Sequence, residues 1–224
     1  IDWSGSDGLF RAQTPDGVRV SRTLIAATGA RPRPAGFVGE REFTGRGVSY
    51  CATCDGMFYR NKHVFVVGGG NSAAEEALFL ARIAARVTMV VRKDHLRALR
   101  ALVDELTANE RVEIRYETSI VRVSGDALPG AITFRDNRSG EEHTETFDEG
   151  SVGIFVLVGR EPETALIDGL VEFDDAGYVV SDERMATRTP GLYVAGDARS
   201  KPLRQIVTAA ATSAAAFLGR PIDG

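Results

Sequence analysis

The sequence has little of what would place it in several common classes of protein. Two cysteines in 224 residues are too few for the disulfide framework of a secreted scaffold. No apolar run is long enough to cross a bilayer, and the sequence opens without the features of a signal peptide. The net charge of −4 provides no positive excess for nucleic acid or an anionic membrane. We therefore expect a cytoplasmic protein with neither of these partners.

The bulk composition is that of a globular protein. Hydrophobic residues make up 43% and charged residues 26%, and 224 residues are enough for one or two domains with a sizeable core. The sequence does not begin with Met, and Ile1-Asp2-Trp3 resembles the interior of a sheet-forming region. We expect the chain to be a fragment or a processed form.

The two cysteines, Cys51 and Cys54, are spaced as C-x-x-C. A dithiol at this spacing can exchange two electrons by opening or closing one disulfide. A zinc site needs about four ligands, and the three scattered histidines do not provide a second ligand pair. A buried, inert cysteine pair is the structural alternative. Asp55 would donate or accept the proton that is transferred in dithiol–disulfide interchange. Its alternative role is that of a helix-capping or turn residue before Gly56.

A nucleotide-binding pattern follows the cysteines. Residues 64–67 form an apolar strand that leads into Gly68-x-Gly70-x-x-Ala73, a helix pattern over 71–84 and a second strand over 86–91. This βαβ context is the one that the G-x-G-x-x-G/A fingerprint requires. Gly68 would permit the tight turn, Gly70 would let the backbone approach the phosphates, and Ala73 would keep the helix close to the sheet.

Basic residues follow the second strand of this unit, where an NAD site usually has an acidic residue. Arg92, Lys93 and Arg97 would instead pair with the 2′-phosphate of NADPH through charge-assisted hydrogen bonds. A solvated basic face at the start of a helix is the alternative.

The remaining pattern is mainly β. It predicts a hairpin around Pro15-Asp16-Gly17, a β-meander over 120–147 and an irregular linker at Arg31–Pro34. Further strands are predicted over 24–27, 112–115, 152–158, 177–180 and 192–195, and helices over 97–109 and 203–218.

Taken together, the motifs resemble the low-molecular-weight thioredoxin reductases, class II of the pyridine nucleotide-disulfide oxidoreductases. C-A-T-C-D-G at 51–56 and G-G-G-N-S-A at 68–73 are the most specific matches. Other matching segments lie at 27–30, 45–48, 92–97, 196–197 and 204–205. Val91, where the family commonly has His, and Lys93, where it has Arg, depart from the pattern.

The resemblance implies an α/β fold of two Rossmann-like three-layer domains. An NADPH-binding domain at 32–159, carrying the dithiol, would be inserted into an FAD-binding domain formed by 1–31 and 160–224. The glycine-rich N-terminal βαβ half of the FAD domain is missing from this sequence. We therefore expect this truncated chain to bind NADPH better than FAD and to be inactive by itself.

The resemblance also implies roles for particular residues. Cys54 would face the flavin, Cys51 would attack the disulfide of thioredoxin or a thioredoxin-like protein, and Asp55 would be the acid/base. The NADPH site would comprise Gly68, Gly70, Asn71, Ser72, Ala73, Arg92, Lys93 and Arg97. The FAD site would include Thr28, Gly29, Gly196, Asp197, Arg204, Gln205 and Ile206.

The family commonly forms homodimers, so a homodimer is expected here. Three other functions stay open. One is the reductase of a peroxide-detoxifying system, and another is a relative driven by ferredoxin, which would tend to lose the nucleotide fingerprint that this sequence retains. The third is a non-catalytic NADPH-binding module.

Overall fold

The computed structural model describes residues 1–4, 6–202, 204 and 206–219. The chain forms two compact units, which we name the split unit (Ile1–Arg31 with Arg160–Gly224) and the inserted unit (Pro32–Gly159). No helix within the described ranges is long and apolar enough to cross a membrane.

The strands and α-helices are numbered along the chain. The first five strands are β1 (Asp2–Ser4), β2 (Leu9–Thr14), β3 (Gly17–Ser21), β4 (Leu24–Ala26) and β5 (Ala30–Pro32). Then follow β6 (Val48–Ser49), α1 (Ala52–Asp55), β7 (His63–Val67), α2 (Asn71–Ala81), β8 (Arg86–Val90), α3 (Arg100–Ala108) and β9 (Val112–Arg115). The last elements are β10 (Thr118–Ser124), β11 (Ala131–Asp136), β12 (Glu142–Thr146), β13 (Val152–Val156), β14 (Arg160–Pro162), β15 (Leu192–Val194) and α4 (Ile206–Gly219).

A five-stranded parallel sheet, in the order β6-β13-β7-β8-β9, is the centre of the inserted unit. All five residues of β13 are buried, as expected for a parallel sheet that is covered on both faces. Successive side chains of β7 point to opposite faces: Val64 and Val66 join one apolar cluster, and Phe65 and Val67 join another.

Helices cover one face of this sheet and a second sheet covers the other. The buried alanines of α2, among them Ala73, Ala74 and Ala77, let that helix approach the strands closely. On the opposite face, the antiparallel sheet β10-β11-β12 contributes Ile132 and Phe134 to the cluster that contains Phe65. The inserted unit therefore has the three layers of a Rossmann-like domain.

The split unit contains the antiparallel sheet β1-β2-β3, the parallel pair β4 and β15, and the pair β5 and β14. Phe10, Leu192 and Val194 belong to one of its buried clusters, and Ala216 of α4 belongs to another.

The hairpin around residues 15–17, the βαβ unit and the β-meander are confirmed. The prediction of an irregular linker at Arg31–Pro34 was wrong in part, because Ala30–Pro32 is a strand paired with Arg160–Pro162. Proline is tolerated here because each strand of a two-stranded sheet is an edge strand. The strand predicted over 177–180 is reduced to isolated bridges at Val179.

Candidate active site

Cys51 and Cys54 form a disulfide with a Cα–Cα distance of 5.3 Å. They begin the dithiol turn, residues 51–59, which comprises α1 and a 3-10 helix at Gly56–Tyr59. Cys51 has an extended backbone and caps α1, and its Sγ accepts the N–H of Cys54 at 3.2 Å. Cys54 is exposed and Cys51 is half-buried, so the disulfide is accessible at the surface of this chain.

Ser49, which the sequence analysis missed, connects Asp55 to the backbone of Cys51. The Ser49 hydroxyl donates to Asp55 Oδ2 at 2.7 Å and accepts the N–H of Cys51 at 3.1 Å. Ser49 is 5% exposed, and both of these hydrogen bonds are partly buried. The Asp55 side chain makes no capping hydrogen bond to the following 3-10 helix, which removes the support for the capping alternative.

The dithiol turn packs on α2, the helix that follows the glycine turn. Glu76 Oε2 accepts the N–H of Ala52 at 2.6 Å. A Cβ built on Gly56 would lie 3.1 Å from Leu80 Cδ2 and 3.2 Å from Ile83 Cδ1. Glycine at 56 therefore allows the turn to approach α2 and its C-terminal end closely.

A cavity of about 490 Å³ lies where several parallel strands end. We call it the glycine-turn cavity, and all of its lining residues belong to the inserted unit. Its volume is within the range of small-molecule sites. The segments that line it follow β7, β8, β9 and β13, namely Gly68–Ala73, Val91–Lys93, Thr118–Ser119 and Leu157–Gly159. This edge of a parallel sheet is where nucleotides bind in such folds.

The glycine turn has the geometry that the fingerprint predicts. Gly68 has φ +146°, and a Cβ there would lie 2.4 Å from the carbonyl oxygen of Leu157 and 3.0 Å from Ala73 Cβ. Gly70 precedes α2, and a Cβ there would meet nothing within 4 Å. Asn71 and Ser72, the first residues of α2, also line the cavity, and helix N-terminal amides have no partner within the helix and stabilise a bound anion.

Arg92, Lys93 and Arg97 all line this cavity. Two hydrogen bonds attach their loop to the glycine turn: the N–H of Arg97 donates to the Gly69 carbonyl at 2.7 Å, and the N–H of Leu99 donates to Asn71 Oδ1 at 2.8 Å. Asn71 therefore has a structural role that its motif did not reveal.

Two cavity features were missed from the sequence. His95 lines the cavity and pairs with Asp94 at 2.6 Å, and the hydrogen bond from His95 lowers the pKa of Asp94. Its position between Lys93 and Arg97 was the available signal.

The other missed feature is Glu40, which is 4% exposed and lies behind the cavity wall. It accepts the N–H groups of Ala35, a lining residue, and Gly36, as well as the hydroxyl of Tyr50 at 2.8 Å. Burial, followed by the hydrogen bond to Glu40, raises the pKa of Tyr50 to about 12. No sequence pattern marks a glutamate that is buried by contacts of this kind.

In the split unit, Gly196 and Asp197 begin a 3-10 helix soon after β15. Thr28 and Gly29 follow β4, whose parallel pairing with β15 brings the ends of both strands to one edge. Asp197 Oδ1 lies 3.0 Å from Lys201 Nζ, a residue that the sequence analysis missed.

Arg204 lies with its guanidinium carbon 3.7 Å from the centre of the Tyr178 ring. Its Nε is buried without a hydrogen-bond partner among the described residues, whereas the buried Asp197 Oδ1 has Lys201 as its ion-pair partner. Ile206 begins α4 and is 90% exposed, whereas Gln205 lies outside the described residues.

A cavity at the carboxyl edge of a parallel sheet and a C-x-x-C disulfide on the same unit are the features expected of a nucleotide-dependent disulfide oxidoreductase. The chain belongs to the pyridine nucleotide-disulphide oxidoreductase family, whose sequence pattern matches residues 14–214. The resemblance to thioredoxin reductases is also confirmed. The chain is 43% identical over 218 residues to the thioredoxin reductase of Peptoclostridium litorale, covering 96% of this chain and 69% of that relative.

Two further relatives agree. Identity to the thioredoxin reductase of Peptoclostridium acidaminophilum is 43% over 198 residues, covering 88% of this chain and 63% of that protein. The crystal structure of the Streptococcus pyogenes thioredoxin reductase superimposes with a TM-score of 0.80 at 39% identity, covering 92% of this chain and 66% of that one. The chain thus spans roughly two thirds of the length of these relatives.

Proposed function

We propose that this chain forms the NADPH-binding domain (32–159) and part of the FAD-binding domain (1–31 and 160–224) of a thioredoxin reductase. Electrons would pass from NADPH through FAD to Cys51–Cys54 and then to thioredoxin or a thioredoxin-like protein. One observation carries the proposal: the glycine-turn cavity and the dithiol turn are both built on α2 of the same unit.

The glycine-turn cavity fits NADPH. The open backbone at Gly70 and the first amides of α2 would bind the pyrophosphate. Arg92, Lys93 and Arg97 would pair with the 2′-phosphate, and the anchoring of Arg97 to Gly69 keeps the cationic loop beside the glycine turn.

The split unit fits part of an FAD site. Arg204 Nε is buried without a hydrogen-bond partner among the described residues, and a bound polar group would satisfy it. Asp197 Oδ1 is buried beside Lys201 Nζ and could accept a further hydrogen bond from such a group. Thr28, Gly29, Gly196, Gln205 and Ile206 complete the proposed set of FAD-binding residues. When bound, FAD would supply the two-electron relay between nicotinamide and disulfide.

The reduced dithiol would react by thiol–disulfide exchange. The Cys51 thiolate attacks one sulfur of the partner's disulfide, that S–S bond breaks, and a mixed disulfide forms. Cys54 then attacks the Cys51 sulfur, which releases the partner as a dithiol and restores the Cys51–Cys54 bond. Two electrons and two protons pass to the partner. Asp55, held by Ser49, would accept a proton from the attacking thiol and donate one to the leaving thiolate.

The surface beside the dithiol suits a protein partner. Met57 and Phe58, in the 3-10 helix of the dithiol turn, are 55% and 74% exposed. Exposed apolar side chains next to a reactive group are typical of a docking surface. A homodimer and a cytoplasmic location complete the proposal.

The cation set is tested by the affinity of the chain for the two nicotinamides. A triple variant with Gln at Arg92, Lys93 and Arg97 should bind NADPH at least about tenfold more weakly and NADH less than about twofold more weakly, as measured by calorimetry. The reason is that the variant loses the charge-assisted hydrogen bonds to the 2′-phosphate, which NADH lacks. Arg100→Gln is the matched control, since Arg100 is 88% exposed, pairs with Asp104 and is not a lining residue. Equal effects on both nucleotides would rule out the 2′-phosphate assignment.

The activity is tested with the full-length, FAD-loaded protein. NADPH oxidation, followed by absorbance, should require oxidised thioredoxin and should be lost in both Cys51→Ser and Cys54→Ser. Binding of NADPH without turnover would favour the non-catalytic module. Turnover with a peroxiredoxin-type partner but not with thioredoxin would favour the peroxide-detoxifying alternative.

A further inference from the structure

The Glu76 carboxylate reaches from α2 to the dithiol turn. Its Oε2 accepts the N–H of Ala52 at 2.6 Å, and Ala52 directly follows Cys51. Glu76 is half-buried, whereas its neighbour Glu75 is exposed on the same helix. The Glu76 carboxylate of α2 is therefore bound to the backbone amide of the residue that follows Cys51, whose sulfur is redox-active under the proposed function.

Reduction changes the charge at this place. In the disulfide form, Cys51 Sγ accepts the N–H of Cys54 at 3.2 Å, and this donor would favour the Cys51 thiolate when the disulfide opens. The Glu76 carboxylate, bound to the amide between these two residues, opposes that negative charge. Like charges repel more strongly in a partly buried setting than in water. The disulfide is neutral, so the repulsion acts on the reduced form alone.

We propose that Glu76 lowers the reduction potential of the Cys51–Cys54 pair and thereby makes its dithiol a stronger electron donor. The inference rests on the proposed function, because it assumes that the pair cycles between disulfide and dithiol. Glu76 touches the Ala52 amide rather than a sulfur, so it is a positioning residue that acts through its charge.

The test compares Glu76→Gln with Glu75→Gln in the whole chain. Gln at 76 can still accept from Ala52 but carries no charge, and the control removes the same charge from an exposed site. Each protein is equilibrated at pH 7 with graded ratios of reduced to oxidised dithiothreitol. Dithiothreitol cyclises and gives up two electrons and two protons, and the Cys51–Cys54 bond breaks and takes them up. Free thiols are counted by maleimide alkylation, which is unambiguous because the chain has two cysteines.

We expect Glu76→Gln to raise the equilibrium constant for reduction about tenfold, equivalent to about 30 mV, and Glu75→Gln to change it less than twofold. Glu76→Met, which is uncharged and of similar length, should shift the equilibrium constant in the same direction. It replaces Glu76→Gln in the test if Glu76→Gln lacks a cooperative unfolding transition. A shift no larger than that of Glu75→Gln, or one of opposite sign, overturns the inference alone. Failure of the wild-type chain to be reduced reversibly overturns the proposed function together with it.

Discussion

Replacing Gly153 by Ala should destabilise the inserted unit through one contact with the dithiol turn. Gly153 lies in the fully buried strand β13, and a Cβ there would come within 2.3 Å of Tyr59 Cε1, 2.4 Å of Cδ1 and 2.8 Å of Cζ. Carbon atoms prefer about 3.5–4.0 Å, so the ring would have to move by about 1 Å or more. Edge-on packing against Phe155, with centroids 5.3 Å apart, limits that movement.

Overpacking of this kind costs about 1–3 kcal/mol, and urea unfolding followed by circular dichroism would measure it. Gly130→Ala is the control, because the nearest atom to a Cβ there is 3.7 Å away, an ordinary contact. The double variant Gly153→Ala/Tyr59→Leu should lose about 1 kcal/mol less unfolding free energy than the two single variants lose in sum, since Leu leaves room for the methyl group. Strict additivity, or a loss for Gly153→Ala no greater than for Gly130→Ala, would refute the reasoning.

Two other predictions concern pH and the dithiol. Burial, and then the cations Arg86 and Arg115, lower the pKa of His63 from 6.5 to about 4, so the fold favours the neutral imidazole. The stabilisation of the fold by neutral His63 is fully present above pH 6.5 and is lost as the pH falls from 6.5 towards 4. The melting temperature should therefore fall less steeply with acid in His63→Gln than in the wild type. Parallel profiles of melting temperature against pH would contradict the prediction. In the full-length, FAD-loaded protein, Ser49→Ala should lower kcat for thioredoxin reduction about tenfold with little change in KM, because Asp55 loses a hydrogen bond. Ser49→Thr should retain most of the rate. An equal further loss from Ser49→Ala in an Asp55→Asn background would show that Ser49 does not act through Asp55.

Local sequence determined the parts of the molecule whose chemistry depends on near neighbours. The C-x-x-C spacing lets Cys51 and Cys54 meet, and the apolar strand before Gly68 predicts the βαβ unit because each signal lies within a few residues. The cationic residues after β8 were likewise readable, since parallel strands end at one edge of their sheet.

Only the tertiary structure decided which distant groups support these motifs. Glu76 binds the amide of Ala52, 24 positions away in the sequence, and Asn71 binds the amide of Leu99, 28 positions away. At such sequence separations, no periodicity or motif spacing predicts a contact. The burial of Glu40 and the pairing of β5 with β14 also depend on how the chain folds back on itself. Hydrogen bonds of a single carboxylate or amide carry too little pattern to be seen in one sequence, yet they position the reactive groups.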